Sequence, residues 1–181
     1  MNDCLKADCA QCVALCCVAL AFDRSELFAL SKQARSRCRH LNSQRRCSIH
    51  SIREQRGFGG CIRYDCLGAG QAVTRLFHPG VGPHTTGVPP AMLSAFVNMR
   101  AVHERLQLLH ASAGLPLSES DACARHGLIQ ALLVHRTSLA RLEDFESSDL
   151  SLRVQHFLRS LRKYGSSLRQ RRHLRVLCEE V

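Results

Sequence analysis

The chain has 181 residues, of which 45% are hydrophobic and only 5% aromatic, and its formal net charge at pH 7 is +10. This length allows one domain or two small ones, and a core built mainly from Leu, Ala and Val favours helices. The N-terminus has acidic residues and cysteines in place of the basic and apolar stretches of a secretory signal, and its longest apolar run, residues 12–22, is too short to cross a bilayer. We therefore expect a soluble cytoplasmic protein without a membrane segment.

The first predicted unit, residues 1–70, is rich in cysteine, arginine and glycine and has few long periodic segments. Nine of the eleven cysteines lie at or before position 66. In a reducing compartment such a concentration indicates metal binding or thiol chemistry rather than disulfides. Within this unit, residues 10–20 predict a short helix or turn, and RGFGGC at 56–61 predicts a loop.

The segment CAQCVALCC, residues 9–17, is the most specific local signal in this unit. Cys9 and Cys12 have the two-residue separation that lets two thiolates converge on one metal, and Cys16 follows one helical turn later. Cys17 points to a different side of such a helix, so we expect it to serve a neighbouring site. With the thiols of three later blocks, the predicted metal ligands are Cys9, Cys12, Cys16, Cys17, Cys38, Cys47, Cys61 and Cys66, and His50 is a further candidate.

These blocks together resemble a known group of bacterial proteins. The order CxxCxxxCC, a later cysteine, CSIH, and then RGFGGCIRYDCLGAGQ at 56–71 resembles the zinc- or iron-chelating cysteine-cluster (YkgJ-like) family. The likeness is closest to the cysteine-rich leader of certain actinobacterial pentapeptide-repeat proteins, although the 181 residues contain no pentapeptide repeats. The resemblance implies metal chelation by these cysteines and defines no biochemical purpose beyond it.

The identity of the metal stays open between an iron–sulfur cluster and zinc. Eight thiols suffice for two four-coordinate sites, or for one cluster and a separate metal. Adjacent cysteines such as Cys16 and Cys17 favour a cluster, because structural zinc usually takes more widely paired spacings. Nearby arginines would offset the negative charge of the thiolates around either occupant: Arg37, Arg39, Arg45, Arg46, Arg53 and Arg56.

Residues 71–88 predict a linker, because a brief strand-like start is followed by Gly, Pro and Thr in close succession. GAGQAV at 68–73 lacks the Lys and the Ser or Thr of a phosphate-binding loop and predicts a turn.

A small helical bundle is predicted over residues 89–164. Its first helix starts at Pro89 and Pro90, and its apolar face consists of Met92, Phe96, Met99, Val102, Leu106 and Leu109. Ser118 or Ser120 would cap the next helix, whose stripe consists of Leu128, Leu132, Leu139 and Leu142. A third begins near Ser148 or Asp149 and carries Leu152, Phe157, Leu158 and Leu161. Histidines on these helices, including His103, are expected at the surface or its boundary.

The remaining residues, 165–181, form a basic tail. Four of its arginines could contact nucleic-acid phosphates, namely Arg169, Arg171, Arg172 and Arg175, although a solvated basic helix face explains them as well.

The expected fold is mainly α, with an irregular cysteine-rich metal-binding N-terminal part packed on a small C-terminal helical bundle. We predict a metal-binding protein holding an iron–sulfur cluster or zinc, without catalysis and with a protein partner. The alternative is a nucleic-acid-associated regulator, in which the metal is structural and the C-terminal arginines make the contact. A thiol redox enzyme ranks third.

Overall fold

The computed structural model describes residues 3–77 and 88–165. Within these ranges the chain is mainly helical and forms no β-strand, which confirms the predicted mainly α class. The α-helices of the described residues are α1 Leu15–Ala19, α2 Gly59–Arg63, α3 Ala69–Phe77, α4 Pro90–Ala111, α5 Glu119–His135, α6 Leu139–Glu143 and α7 Asp149–Ser160. Shorter 3-10 turns lie at Asp3–Leu5, Cys9–Gln11, His50–Ile52, Ser112–Gly114 and Phe145–Ser147.

Helix α4 is the centre of the fold. It begins at Pro90, whose missing amide proton is not needed in the first helical turn, and Pro89 precedes it in an extended conformation. The six residues of its predicted apolar face are all completely buried, namely Met92, Phe96, Met99, Val102, Leu106 and Leu109. Contacts with α1, α3, α5, α6 and α7 surround this helix, so the predicted first helix and its buried face are confirmed.

Two serines start the following helices. The Ser118 hydroxyl accepts a hydrogen bond from the Asp121 amide at 3.2 Å, and Ser148 does the same for the amide of Ser151 at 3.2 Å. Each serine satisfies an amide that has no partner within its own helix. The predicted cap at Ser118 and the predicted start of the third helix near Ser148 or Asp149 are therefore confirmed.

The second and third apolar stripes differ from the prediction. The chain leaves helical geometry after α5 and starts α6 at Leu139, so the stripe is not continuous, and Leu139 is 37% exposed while Leu142 is buried. In α7, Leu152 is 49% exposed and Val154 is buried in its place. The other predicted positions Leu128, Leu132, Leu142 and Leu161 are buried, so the leucine spacing was wrong only at Leu139 and Leu152.

Residues 71–77 form part of α3 rather than the predicted linker. Ala69 and Val73, four residues apart, are both completely buried, and this side of α3 packs against α4. Only Gly68, with a φ of +74°, has the turn conformation predicted for GAGQAV. Residues 78–87 of the predicted linker lie outside the described residues.

The N-terminal part is irregular between α1 and α2. Isolated antiparallel bridges pair Phe22 with Lys32, Ser25 with Phe28, and Leu41 with Cys47. This part packs on the bundle through an apolar edge, in which Leu5, Val13 and Leu15 join the same core as α4. The predicted loop at 56–61 contains the left-handed Gly57 and then the start of α2. No helix of the described residues is both long and apolar enough to span a membrane.

His103 is completely buried, and the prediction of a surface or boundary position is wrong for this residue. Its Nδ1 lies 2.5 Å from the Leu67 carbonyl oxygen, which joins α4 to the chain just before α3. Burial lowers the pKa of His103 to about 4, so the ring is neutral near pH 7 and Nδ1 donates its proton to the carbonyl.

Candidate metal centre

The predicted cysteine ligands surround a single cavity of about 890 Å³ in the N-terminal part. All eight contribute to its wall, namely Cys9, Cys12, Cys16, Cys17, Cys38, Cys47, Cys61 and Cys66, and His50 lies on the wall with them. The rest of the lining is mostly apolar and includes Phe22, Phe28 and Phe58. Among the described residues, no three His, Cys, Asp or Glu side chains converge closely enough to hold a single metal ion.

A left-handed turn shapes the surroundings of Cys12. Ala14 has a φ of +65°, and the following amide of Leu15 donates to the Cys12 sulfur at 3.5 Å. Burial raises the pKa of Cys12 to about 11, whereas hydrogen bonds from the Leu15 and Ala14 amides and from Thr74 act in the opposite direction. These donors are oriented to stabilise a thiolate, the form of cysteine that binds metal.

Gly70, in the first turn of α3, brings Cys12 and Cys66 together. A Cβ atom at this position would lie 2.6 Å from the Cys12 sulfur and 3.9 Å from the Cys66 sulfur, so any larger residue would displace the Cys12 sulfur. Gln71 anchors the preceding segment: its Oε1 accepts from the Asp8 amide at 3.2 Å, and its Nε2 donates to the Lys6 carbonyl at 2.6 Å. The start of α3 therefore gathers the segment around Cys9 and Cys12 with Cys66.

A second set of contacts gathers the middle cysteines around Cys17. The amide of Cys38 donates to the Cys17 carbonyl at 3.1 Å, and the bridge between Leu41 and Cys47 folds the next block back onto the same side. Burial, with the charges of Cys17, Cys38 and Cys47, raises the pKa of Cys61 to about 11. The Cys61 thiol thus interacts electrostatically with each of these three thiols.

Cys16 and Cys17 are consecutive residues of α1, and their sulfurs lie 3.9 Å apart. The hydrogen bond from the Cys16 thiol lowers the pKa of Cys17 to about 7, and the positive charges of Lys32 and Arg53 act in the same direction. The same interaction raises the pKa of Cys16. Of this pair, Cys17 therefore loses its proton first, and Cys16 keeps its proton.

Only some of the six predicted arginines face the thiols. Arg45, Arg46 and Arg53 line the cavity. The charge of Arg53 lowers the pKa of Cys9, Cys47 and Cys61 against the larger effect of burial, and its Nη1 donates to the Cys61 carbonyl at 3.2 Å. By contrast, the Arg37 guanidinium donates to the carbonyls of residues 41 and 42.

Lys32 is a cation that the sequence analysis missed. It is only 8% exposed, and its ammonium group donates to the carbonyls of Val18, Gln33 and Ser36. Its interactions with Cys16, Cys17 and Cys38 place the ammonium group beside the thiols. No sequence signal distinguishes it from a surface lysine, because its burial depends on the antiparallel bridge to Phe22.

Two further cavity residues were also missed. The ring of His40 packs edge-on against Phe58, with centroids 4.9 Å apart. Tyr64 has a buried hydroxyl without a hydrogen-bond partner among the described residues, and the Arg100 guanidinium lies over its ring at 5.1 Å. Both positions follow from packing between distant segments rather than from local spacing.

Several residues of interest lie away from this cavity. Cys4 and Cys123 are free cysteines that do not contribute to its wall, and Cys123 is exposed on α5. Cys178 and the predicted phosphate contacts Arg169, Arg171, Arg172 and Arg175 lie outside the described residues.

Comparison with curated proteins finds a relative in Bacillus subtilis (strain 168), described as "Uncharacterized protein YybG". The two chains are 38% identical over 119 residues, which represent 64% of this chain and 42% of the relative. The chain thus spans less than half the length of that protein. No protein-family model matches the chain, and no solved structure matches it significantly.

Proposed function

We propose that the chain is a metal-binding protein whose thiol-lined cavity holds an iron–sulfur cluster or zinc and performs no catalysis of its own. The observation that carries this proposal is that eight cysteines from separated blocks of sequence line one cavity. Free cysteines that merely pack as small hydrophobic residues would not all face the same space. Cys4 and Cys123, which lie outside this pattern, serve as an internal comparison.

The size of the cavity favours an iron–sulfur cluster over a single zinc ion. Zinc–thiolate bonds of about 2.3 Å place tetrahedral sulfurs roughly 3.8 Å apart. Cys16 and Cys17 have this separation, at 3.9 Å, but the eight thiols as a set surround about 890 Å³. A cluster contains several irons and bridging sulfides, so cysteines that are farther apart can bind it.

The lining of the cavity also suits such an occupant. Aromatic and aliphatic side chains would limit the access of water, which affects the stability and the reduction potential of a cluster. Arg53 and Lys32 supply positive charge next to the thiols. The resemblance to the YkgJ-like cysteine-cluster family supports the same chemistry.

The test is the metal content of protein purified without oxygen. We expect stoichiometric iron with acid-labile sulfide, and absorption at about 400 nm from thiolate-to-iron charge transfer. Zinc without colour would support the metal site but not the cluster. Cys12→Ser should lower the metal content, whereas the matched control Cys123→Ser should not. A well-folded, metal-free wild-type protein whose cavity thiols all titrate freely would contradict the proposal.

A further inference from the structure

One group of thiols lies at the start of α3. The sulfurs of Cys12 and Cys66 both face Gly70, and Gln71 ties the segment preceding Cys9 to the same helix. Cys16 interacts electrostatically with both Cys12 and Cys66. These contacts define a set of four thiols, which we name the α3 group: Cys9, Cys12, Cys16 and Cys66.

The other four thiols are linked to one another by a second set of contacts. The Cys38 amide binds the Cys17 carbonyl, the bridge at Cys47 folds residues 41–47 back on themselves, and Cys61 interacts with all three of these cysteines. We name Cys17, Cys38, Cys47 and Cys61 the loop group. Cys9 interacts with both Cys66 and Cys17, so it lies at the boundary between the groups, and its link to α3 assigns it to the first.

The boundary between the two groups of thiols falls between Cys16 and Cys17, which are consecutive residues of α1. Side chains of adjacent helical residues point about 100° apart, and the sulfurs of Cys16 and Cys17 are 3.9 Å from each other. Beyond this pair, Cys16 interacts with Cys12 and Cys66, whereas Cys17 interacts with Cys61 and its carbonyl accepts from the Cys38 amide. Each group supplies four thiols, which is the usual number for one iron–sulfur cluster. Among the described residues no three such side chains are close enough for a single metal ion, so binding would have to draw the thiols of each group together.

On this basis we propose that the cavity holds two adjacent metal centres, one bound by the α3 group and the other by the loop group. This inference rests on the proposed metal-binding function and adds the number of centres and the ligands of each. Consecutive residues 16 and 17 make the centres immediate neighbours, and the charge of Arg53 acts on thiols of both groups. Two iron–sulfur clusters placed in this way would interact magnetically when both are reduced.

The test compares the full-length variants Cys66→Ser and Cys38→Ser, one from each group, with Cys123→Ser as the control. Native mass spectrometry under anaerobic conditions counts the bound metal or cluster units. We expect the control to carry two units, each single variant to carry one, and the double variant to carry none. Circular dichroism and resistance to protease would establish that each variant is folded.

Chelation of the wild-type protein provides a second measurement that does not require a variant to fold. Two centres predict a half-loaded species during gradual removal of metal. Loss of all metal in one step, or a folded single variant that keeps the full load, would overturn the two-centre assignment while leaving metal binding intact. Wild-type protein that contains no metal would overturn the proposed function itself, so the two failures are distinguishable.

Discussion

The replacement of Gly70 by Ala tests whether the geometry at the start of α3 is required for metal binding. The added Cβ would lie 2.6 Å from the Cys12 sulfur, whereas van der Waals contacts need about 3.5–4.0 Å. The sulfur must therefore move by about 1 Å. Overpacking of this kind costs roughly 1–3 kcal/mol, and the better helix propensity of Ala returns up to about 1 kcal/mol. We expect a net loss of stability of no more than about 3 kcal/mol.

The substitution should lower metal affinity far more than the free energy of unfolding, because metal–ligand distances tolerate only about ±0.2 Å. We expect Gly70→Ala to weaken metal affinity by about 10- to 100-fold, the range seen for residues that orient ligands. Competition with a chelator measures affinity, and urea unfolding measures stability. Gly127→Ala is the matched control, since a Cβ there meets nothing within 4 Å, and it should leave metal binding unchanged. Full metal affinity in Gly70→Ala would refute the reasoning.

Removal of the metal should make residues 20–66 sensitive to protease, whereas α4 to α7 should stay protected. The reason is that the free energy of binding at a site absent from the unfolded chain contributes to the free energy of folding. Equal protection with and without metal would contradict this. Arg53→Met should raise the pKa of the cavity thiols further, so that protons displace the metal at a higher pH than in wild type or in the exposed control Arg24→Met, as followed by metal retention during acidification. For His103, the folded-state pKa of about 4 lies below the ordinary 6.5, so its contribution to stability is present above pH 6.5 and is lost as pH falls towards 4. That loss is about 3 kcal/mol, and His103→Asn, which keeps an N–H donor, should flatten the dependence of the unfolding free energy on pH; an unchanged slope would argue against a buried neutral ring.

Local spacing was sufficient to predict the elements that depend mainly on neighbouring residues. The buried face of α4 follows from apolar residues at steps of three and four, and its start follows from Pro90. Ser118 was recognisable as a cap because its hydroxyl binds an amide only three residues away. The candidate ligands could also be selected in this way, because cysteines are rare enough that their clustering is informative without any knowledge of the fold.

Other features were decided by contacts between residues distant in the sequence. Helix α3 was missed because it is short, follows Gly68 and contains Gly70, and its helical state depends on the burial of Val73 against α4. Lys32 and His103 look like surface residues in the sequence, yet each is held inside by carbonyl groups that only the folded chain brings near it.

The division of the cysteines into the α3 group and the loop group also depends on contacts between residues distant in the sequence. The sequence by itself determined which residues carry thiols and that Cys16 and Cys17 are adjacent, since composition and spacing are properties of the chain alone. Which thiols are neighbours was decided by the tertiary structure, because Cys66 reaches Cys12 only through the packing of α3, and Cys38 reaches Cys17 only through a loop closed by backbone hydrogen bonds. These contacts join residues that are distant in the sequence, so they depend on the free energy of the whole fold, and no local pattern of residues encodes them.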